Sequence, residues 1–214
     1  MDKITFEKVL PHVFSQMPER DSDVWQQTLL FEKGKLYLAE ADSGMGKSTF
    51  CSFLIGYRHD YSGSIRFDEY DIKKYKTADW AILRECHISH LFQELRLFPE
   101  LTAFENVEIK NQMTAWKSQR EIGIMFERLG IADKIHSKIG KMSFGQQQRV
   151  ALIRALVQPF DFLLVDEPIS HLDDNNANIM GEMMMEEVHR QGAGLIVMSI
   201  GKHMDLPYDT CLEL

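Results

Sequence analysis

The nine residues Ala41-Asp42-Ser43-Gly44-Met45-Gly46-Lys47-Ser48-Thr49 decide the reading of this chain. A short apolar run, Leu36-Tyr37-Leu38-Ala39, precedes them, and Phe50-Cys51-Ser52-Phe53-Leu54-Ile55, of helical character, follows. Strand, glycine-bearing loop, Lys-Ser and helix, in that order, are the layout of a phosphate-binding loop. The residue types follow from the chemistry. Backbone N–H groups of such a loop and of the helix N-terminus converge on phosphate oxygens. Gly44 and Gly46 offer bare backbone that phosphates can approach, with Ser43, Met45 and Thr49 completing the cradle. Lys47 reaches the β- and γ-phosphates, and the Ser48 hydroxyl suits a magnesium ion. The full pattern, G-x-x-x-x-G-K-[ST], has glycine where this chain has Ala41, a substitution that matters only if φ there is positive.

The chain has 214 residues, 44% hydrophobic and 26% charged, which suits one soluble domain with a sizeable core. A net charge of −8 leaves no electrostatic footprint for nucleic acid. No apolar run approaches the roughly 20 residues of a membrane span. The start, Met1-Asp2-Lys3-Ile4-Thr5-Phe6, lacks the pattern of a signal peptide. The expectation is a cytoplasmic protein, with any membrane role supplied by a partner. Cys51, Cys86 and Cys211 are odd in number and scattered, so they read as reduced, mostly buried thiols. They and the histidines show no metal spacing, and no zinc site is expected.

Residues 3–9 and 28–39 read as strands, with a turn at Gly34 and a polar loop, Ser15 to Asp23, between them. Ile65-Arg66-Phe67 alternates like an edge strand, residues 77–85 look helical, and His87 to Phe92 reads as a strand ending at Gln93. Residues 102–140 carry helical patterns, such as Ile122, Met125, Phe126 and Leu129, and no strand. They read as a helical lobe inserted in an α/β core. A helix over Ser143 to Val157 follows. The apolar runs Phe162–Val165 and Leu195–Ser199 have the character of strands buried on both faces. A helix over 173–191 separates them, and Thr210–Leu214 is a candidate last strand.

Asp166-Glu167 ends the run Phe162–Val165. Ligands of open parallel sheets bind at the carboxyl ends of strands. One carboxylate there can hold magnesium against phosphates, and a second can polarise an attacking water. An acidic start to a loop after a strand is the plainer alternative, but four apolar residues then Asp-Glu, in a chain with a phosphate loop, are far more specific. Ser143-x-x-Gln146 is a capping box in its own right. A cap leaves Gln147, Gln148 and Arg149 unexplained.

Met142-Ser143-Phe144-Gly145-Gln146 through Leu156, then Asp166-Glu167-Pro168, then Ser170-His171-Leu172-Asp173, resembles the signature region of an ATP-binding cassette (ABC) ATPase. With the phosphate loop, these motifs cover residues 36–214 in the family's order. The resemblance implies an α/β fold: a P-loop NTPase (RecA-like) core with a mostly parallel sheet, an N-terminal antiparallel β part and an inserted α-helical subdomain. It implies one domain over 1–214, with 1–93 and 158–214 as the core and 94–157 as the helical subdomain that includes the signature helix. It implies that Lys47 contacts the phosphates, that Ser48, Gln93 and Asp166 hold Mg2+, and that Glu167 is the catalytic base, with Gln93 also touching the attacking water. Ser143, Gly145 and Gln146 would meet the γ-phosphate of ATP on another subunit, and Asp173 would close a loop that crosses the dimer. An aromatic near the first strand would stack on adenine, Phe14 first and Trp25 second. Leu97-Phe98-Pro99-Glu100-Leu101-Thr102-Ala103-Phe104-Glu105-Asn106-Val107 resembles the small stand-alone ATPases of the lipoprotein-release, macrolide-export and cell-division type. Implied partners are ATP, a transmembrane permease subunit and a second ABC ATPase, as homodimer or heterodimer. The protein would sit peripherally at the inner face of the cell membrane, without direct insertion.

Three positions depart from the family pattern: Ala41, Phe144 in place of the first signature glycine, and Ile200 where the family has a histidine that contacts the γ-phosphate. Loss of one preorganised donor to a transition-state oxygen costs on the order of 10²–10³ in rate. His203, three residues on, could take that place only with a rebuilt loop. The leading expectation is therefore the ATP-hydrolysing subunit of a transporter. The alternative is a degenerate cassette that binds ATP and dimerises with little hydrolysis. A nucleic-acid-directed cassette would need a basic stripe, and a small-molecule kinase would leave Ser143–Arg149 and Gln93 without a role.

Overall fold

The computed structural model describes residues 1–15, 21–42, 44–169, 173–201 and 203–214. Ser43 and Ser170-His171-Leu172 lie outside the described residues. Strands β1 (Lys3–Pro11), β2 (Thr28–Glu32) and β3 (Leu36–Glu40) lead to helix α1 (Lys47–Leu54). β4 (Tyr61–Phe67), β5 (Tyr70–Asp71), α2 (Thr77–Ile82) and β6 (Ile88–Leu91) follow. Helices α3 (Ala103–Asn111), α4 (Gln119–Arg128) and α5 (Phe144–Leu156) precede β7 (Phe162–Asp166), α6 (Asp174–Gln191), β8 (Gly194–Ser199) and β9 (Thr210–Glu213).

The strands form two sheets. One is parallel throughout, in the order β6-β7-β8-β3-β9, and the other is antiparallel, in the order β2-β1-β4-β5. This is the expected α/β architecture, with the antiparallel part toward the N-terminus. Side chains of the parallel sheet alternate between two cores, as the period of a strand requires. Leu36, Leu38, Leu163, Val165, Leu195 and Val197 pack with α5, α6 and the helices between β6 and β7. Tyr37, Ala39, Phe162, Leu164, Ile196 and Met198 pack with α1 and the antiparallel sheet, around Phe6, Phe31, Phe50 and Phe53. Both faces are covered, which is why β7 and β8 are continuous apolar runs.

The helical interval starts its helices by one device. Thr102 with Glu105, Ser118 with Glu121, and Ser143 with Gln146 form capping boxes at α3, α4 and α5. Ile122, Met125, Phe126 and Leu129 are all buried, as their spacing demanded.

Two expectations need correction. Ile65–Phe67 is no edge: β4 lies between β1 and β5, and its alternation reflects one-sided burial against α1. The edge is the two-residue β5, too short to register as a pattern. At Gly63 (φ +81°) an added Cβ would meet Lys8 O at 2.4 Å, so glycine alone fits beside the register shift between Glu7 and Leu10. The thiols are not mostly buried either: Cys51 is, Cys86 is partly exposed, and Cys211 faces out on the last strand. Among the described residues, no helix is long and apolar enough to cross a membrane.

Candidate functional site

β3, β6 and β7 end at the same edge of the parallel sheet, and so deliver their following loops to one place. A cavity of about 340 Å³ lies there, lined by Gly44, Gly46, Lys47, Ser48, Thr49, Gln93 and Glu167. The loop after β3, the residue after β6 and the carboxylate after β7 thus converge, although up to 123 positions separate them (44 to 167). The cavity sits at the N-terminus of α1, whose first residue is Lys47 and whose preceding Gly46 has φ 103°. An added Cβ at Gly46 would lie 2.9 Å from the Phe14 ring and 3.0 Å from that of Trp25. Glycine is needed there for both space and dihedral. Ala41 is not among the residues with positive φ, so alanine there carries no backbone strain.

Electrostatics single out three groups. Lys47 is 7% exposed; its Nζ donates to Ala41 O at 3.4 Å and stands 3.4 Å from Glu167 Oε1. That second approach is an ion pair without hydrogen-bond alignment, and Glu167 Oε1 has no hydrogen-bond partner among the described residues. Glu167 also takes a left-handed backbone (φ 48°), while its N–H donates to Met198 O at 3.0 Å. Strain of this kind in a non-glycine residue clusters at functional positions. Asp166, 5% exposed, has an unpartnered Oδ1. Burial first, and the Glu167 charge second, push its carboxyl up to about 6, against the pull of Lys47. A buried carboxylate oxygen with no partner is what a divalent cation with oxygen ligands would satisfy, and the donor types of Asp166, Ser48 and Gln93 suit magnesium.

The other expected residues fall in different places. Phe14 lines the cavity from a 3₁₀ turn that follows β1. Trp25 does not: it is buried, edge-on to Phe50 and Phe53, and its Nε1 donates to Met45 O at 3.2 Å. It holds the loop from beneath and has no face open to a base. Met45 is absent from the cavity wall, and its N–H is taken by Asp42 O at 3.2 Å. Ser43 lies outside the described residues. Ser143, Gly145, Gln146 and Asp173 do not line this cavity at all. Ser143 and Asp173 are exposed caps of α5 and α6, where Asp173 accepts from Asn176 N–H at 2.9 Å.

The residues that a cap left unexplained are clamps. Gln147 Nε2 donates to Met142 O (3.0 Å) and Ile139 O (3.3 Å). Gln148 ties α5 to Pro168 O at 3.5 Å, beyond Glu167. Arg149 donates to Leu129 O (2.9 Å) and Asn176 Oδ1 (3.1 Å), joining the ends of α4 and α6. The start of α5 is fixed to the β7 loop and to its helical neighbours.

Sequence reasoning missed Arg58, which lines the cavity, donates to Thr49 Oγ1 at 3.0 Å and grips Asp60 through two hydrogen bonds. That grip holds the Asp60 carboxyl down to about 2. Nothing in the local sequence marks it, because its partners are set by the turn after α1. Ile200 lines the cavity with 42% of its surface exposed, an apolar side chain at a polar site. His203 points elsewhere: its Nδ1 lies 3.0 Å from Met204 O, and it lines a separate cavity with Ile169 and Leu206.

Comparison with known proteins agrees with this geometry. The family model described as "ABC transporter" matches residues 27–170. An ABC transporter ATP-binding protein of Mycobacterium tuberculosis, Rv0073, is 38% identical over 143 residues, covering 65% of this chain and 43% of its own length. This chain therefore spans less than half of that relative. The macrolide export ATP-binding/permease protein MacB of Bradyrhizobium diazoefficiens is 34% identical over 175 residues, covering 80% of this chain and 27% of its own. Among solved structures, the dimeric ATP-binding cassette MJ0796 in a post-hydrolysis state with ADP and Pi superposes with a TM-score of 0.75. It covers 92% of this chain and 87% of its own at 24% identity, a likeness of fold.

Proposed function

This chain belongs to the ABC transporter family, and on that premise we propose that it binds and hydrolyses ATP to drive a separate membrane permease. The observation that carries the reading is the single cavity shared by Gly44, Gly46, Lys47, Ser48, Gln93 and Glu167. In this reading Lys47 and the N–H groups at the start of α1 bind the β- and γ-phosphates. Phe14 stacks on adenine, with Arg58 close to the bound nucleotide. Gln93 orients a water in line with the γ-phosphorus, and Glu167 accepts its proton as the new P–O bond forms and ADP leaves. Ser48, Gln93 and Asp166 would hold Mg2+, which would supply charge to neutralise the phosphates.

Residues 94–157 act as a helical subdomain on the core formed by 1–93 and 158–214. Ser143, Gly145 and Gln146 serve the ATP of a second cassette, and Asp173 lies at the crossing between the two. This reading accounts for the exposure of Ser143 and Asp173, the partial exposure of Gly145 and Gln146, and the absence of all four from the lining of the chain's own cavity. The dimer is a homodimer or a heterodimer with another ABC ATPase, held by the permease at the cytoplasmic face of the membrane. Ile200 in the cavity wall favours slow hydrolysis.

A single-turnover measurement of phosphate release with Mg2+ and ATP tests the proposal. A burst that Glu167→Gln abolishes supports it. Tight ATP binding with no phosphate release overturns it in favour of a cassette that binds without turnover.

A further inference from the structure

The sequence shows no metal spacing, yet the fold brings together three ligand-type side chains that are not part of the nucleotide cavity's lining. The donor atoms of Cys51, His90 and Asp166 all lie within 4.8 Å of one another. Each comes from a different element: Cys51 from the second turn of α1, His90 from β6, and Asp166 from the end of β7. We propose that Cys51, His90 and Asp166 form a binding site for a zinc-class transition-metal ion, and that its occupation switches the nucleotide site off.

Apart from the magnesium role proposed for Asp166, no role above employs these groups. Both ring nitrogens of His90 are sealed from solvent and, like Asp166 Oδ1, have no hydrogen-bond partner among the described residues. Orphaned buried polar atoms of this kind call for an ion or a ligand. A neutral imidazole has a ring lone pair free for a metal. Cys51 is a free thiol, 2% exposed, and carries a proton that a metal can displace. Binding then exchanges the thiol proton, released to solvent, for a metal–sulfur bond. The ion's two positive charges cancel the thiolate and the Asp166 carboxylate. One thiolate, one imidazole and one carboxylate select zinc-class ions over magnesium, which takes oxygen ligands. Zinc bonds of roughly 2.0–2.3 Å put tetrahedral donors about 3.5 Å apart. Donors within 4.8 Å close on an ion by side-chain rotations of about an ångström. Three protein ligands leave a fourth position for water. His90 also borders a groove of about 280 Å³ between β6 and α3, beside Phe92, Arg96 and Asn106.

The consequence for turnover rests on the ATPase reading above. Asp166 cannot serve both ions at full strength, so the zinc-class ion inhibits, and added magnesium relieves the inhibition.

Cobalt(II) and zinc titrations of the full chain test the proposal. The expected result is one cobalt per chain, with a thiolate-to-metal charge-transfer band in the near ultraviolet, displaced by zinc. Cys51→Ala removes the band, and His90→Phe weakens cobalt and zinc binding by about 100-fold or more. Cys211→Ser changes neither. If buried Cys51→Ala fails to fold, His90→Phe decides, because it keeps a ring of similar size and its melting curve reports folding. Absence of the band in the native chain, or unchanged affinity in a folded His90→Phe, overturns the site. In the ATPase assay, zinc inhibits the native chain and spares His90→Phe, whose basal rate is unchanged; equal inhibition of both overturns the switch. A cobalt band in a chain that never hydrolyses ATP leaves the metal site standing and overturns the ATPase reading instead.

Discussion

At the end of β7, Asp166 Oδ1 and Glu167 Oε1 are buried without a hydrogen-bond partner among the described residues. At the start of α5 the polar groups satisfy each other: Ser143 N–H donates to Gln146 Oε1 at 3.0 Å, and Gln146 N–H to Ser143 Oγ at 3.3 Å. The first region is costly to hold together, because desolvated carboxylate oxygens lack hydrogen bonds there. The second is relaxed and exposed. A site that stores unmet polar groups is prepared for a ligand within its own chain. A face whose caps close locally has nothing to gain from its own chain, and gains only when another surface is laid against it. The function proposed above makes the phosphate loop and the start of α5 two halves of a shared site, carried at separate places on one molecule.

The contrast predicts unequal responses to mutation. Glu167→Gln is expected to lower steady-state phosphate release by about 10²–10⁴-fold while ATP binding is retained. A loss below tenfold would break the assignment of the cavity's chemistry. Next in size, Ile200→His restores a polar donor to the cavity wall, and kcat should rise by up to roughly 10²-fold. An unchanged kcat would mean that another step limits turnover.

The third test uses pH. Asp166 titrates at about 6 in the folded chain, against roughly 3.9 when unfolded. Between those values the folded state binds the extra proton, so stability falls as pH rises through that window and is highest at the acid end. Without Mg2+, the native chain should lose roughly 2–3 kcal/mol relative to Asp166→Asn from pH 4 to pH 6.5, measured by urea unfolding. Equal pH profiles would show that the buried carboxylate is not strained. The smallest effect belongs to the relaxed face. Ser143→Ala removes a cap and should cost about 1 kcal/mol of stability. Its nucleotide affinity as a monomer, by equilibrium dialysis, should not move. A change in monomer affinity would join the two regions that the comparison separates.

The strand–loop–helix turn at residues 36–54 was legible because its signals are local: consecutive residues make both the turn and the helix start. The cap at Ser143 was visible for the same reason, joining residues three apart; those at Thr102 and Ser118 have the same spacing and emerged only in the structure. Trp25 shows the limit. An aromatic near the first strand reads equally well as a base platform or as core, and only packing against Phe50 and Phe53 decides for core. The strand order was likewise out of reach, since β3 pairs with β8 and β9, from far along the chain.

By itself the sequence determined that a strand, a glycine-bearing loop and a helix follow one another over residues 36–54, that β7 and β8 are buried on both faces, and where α5 begins. These follow from spacing along the backbone. Only the tertiary structure decided that Ala41 carries no strain, that His203 turns away from the cavity, and that Arg58 enters it. It alone brought Cys51, His90 and Asp166 within 4.8 Å. Such neighbours are made by sheet pairing and layer packing, which join residues by where strands end and not by how far apart they stand in the chain.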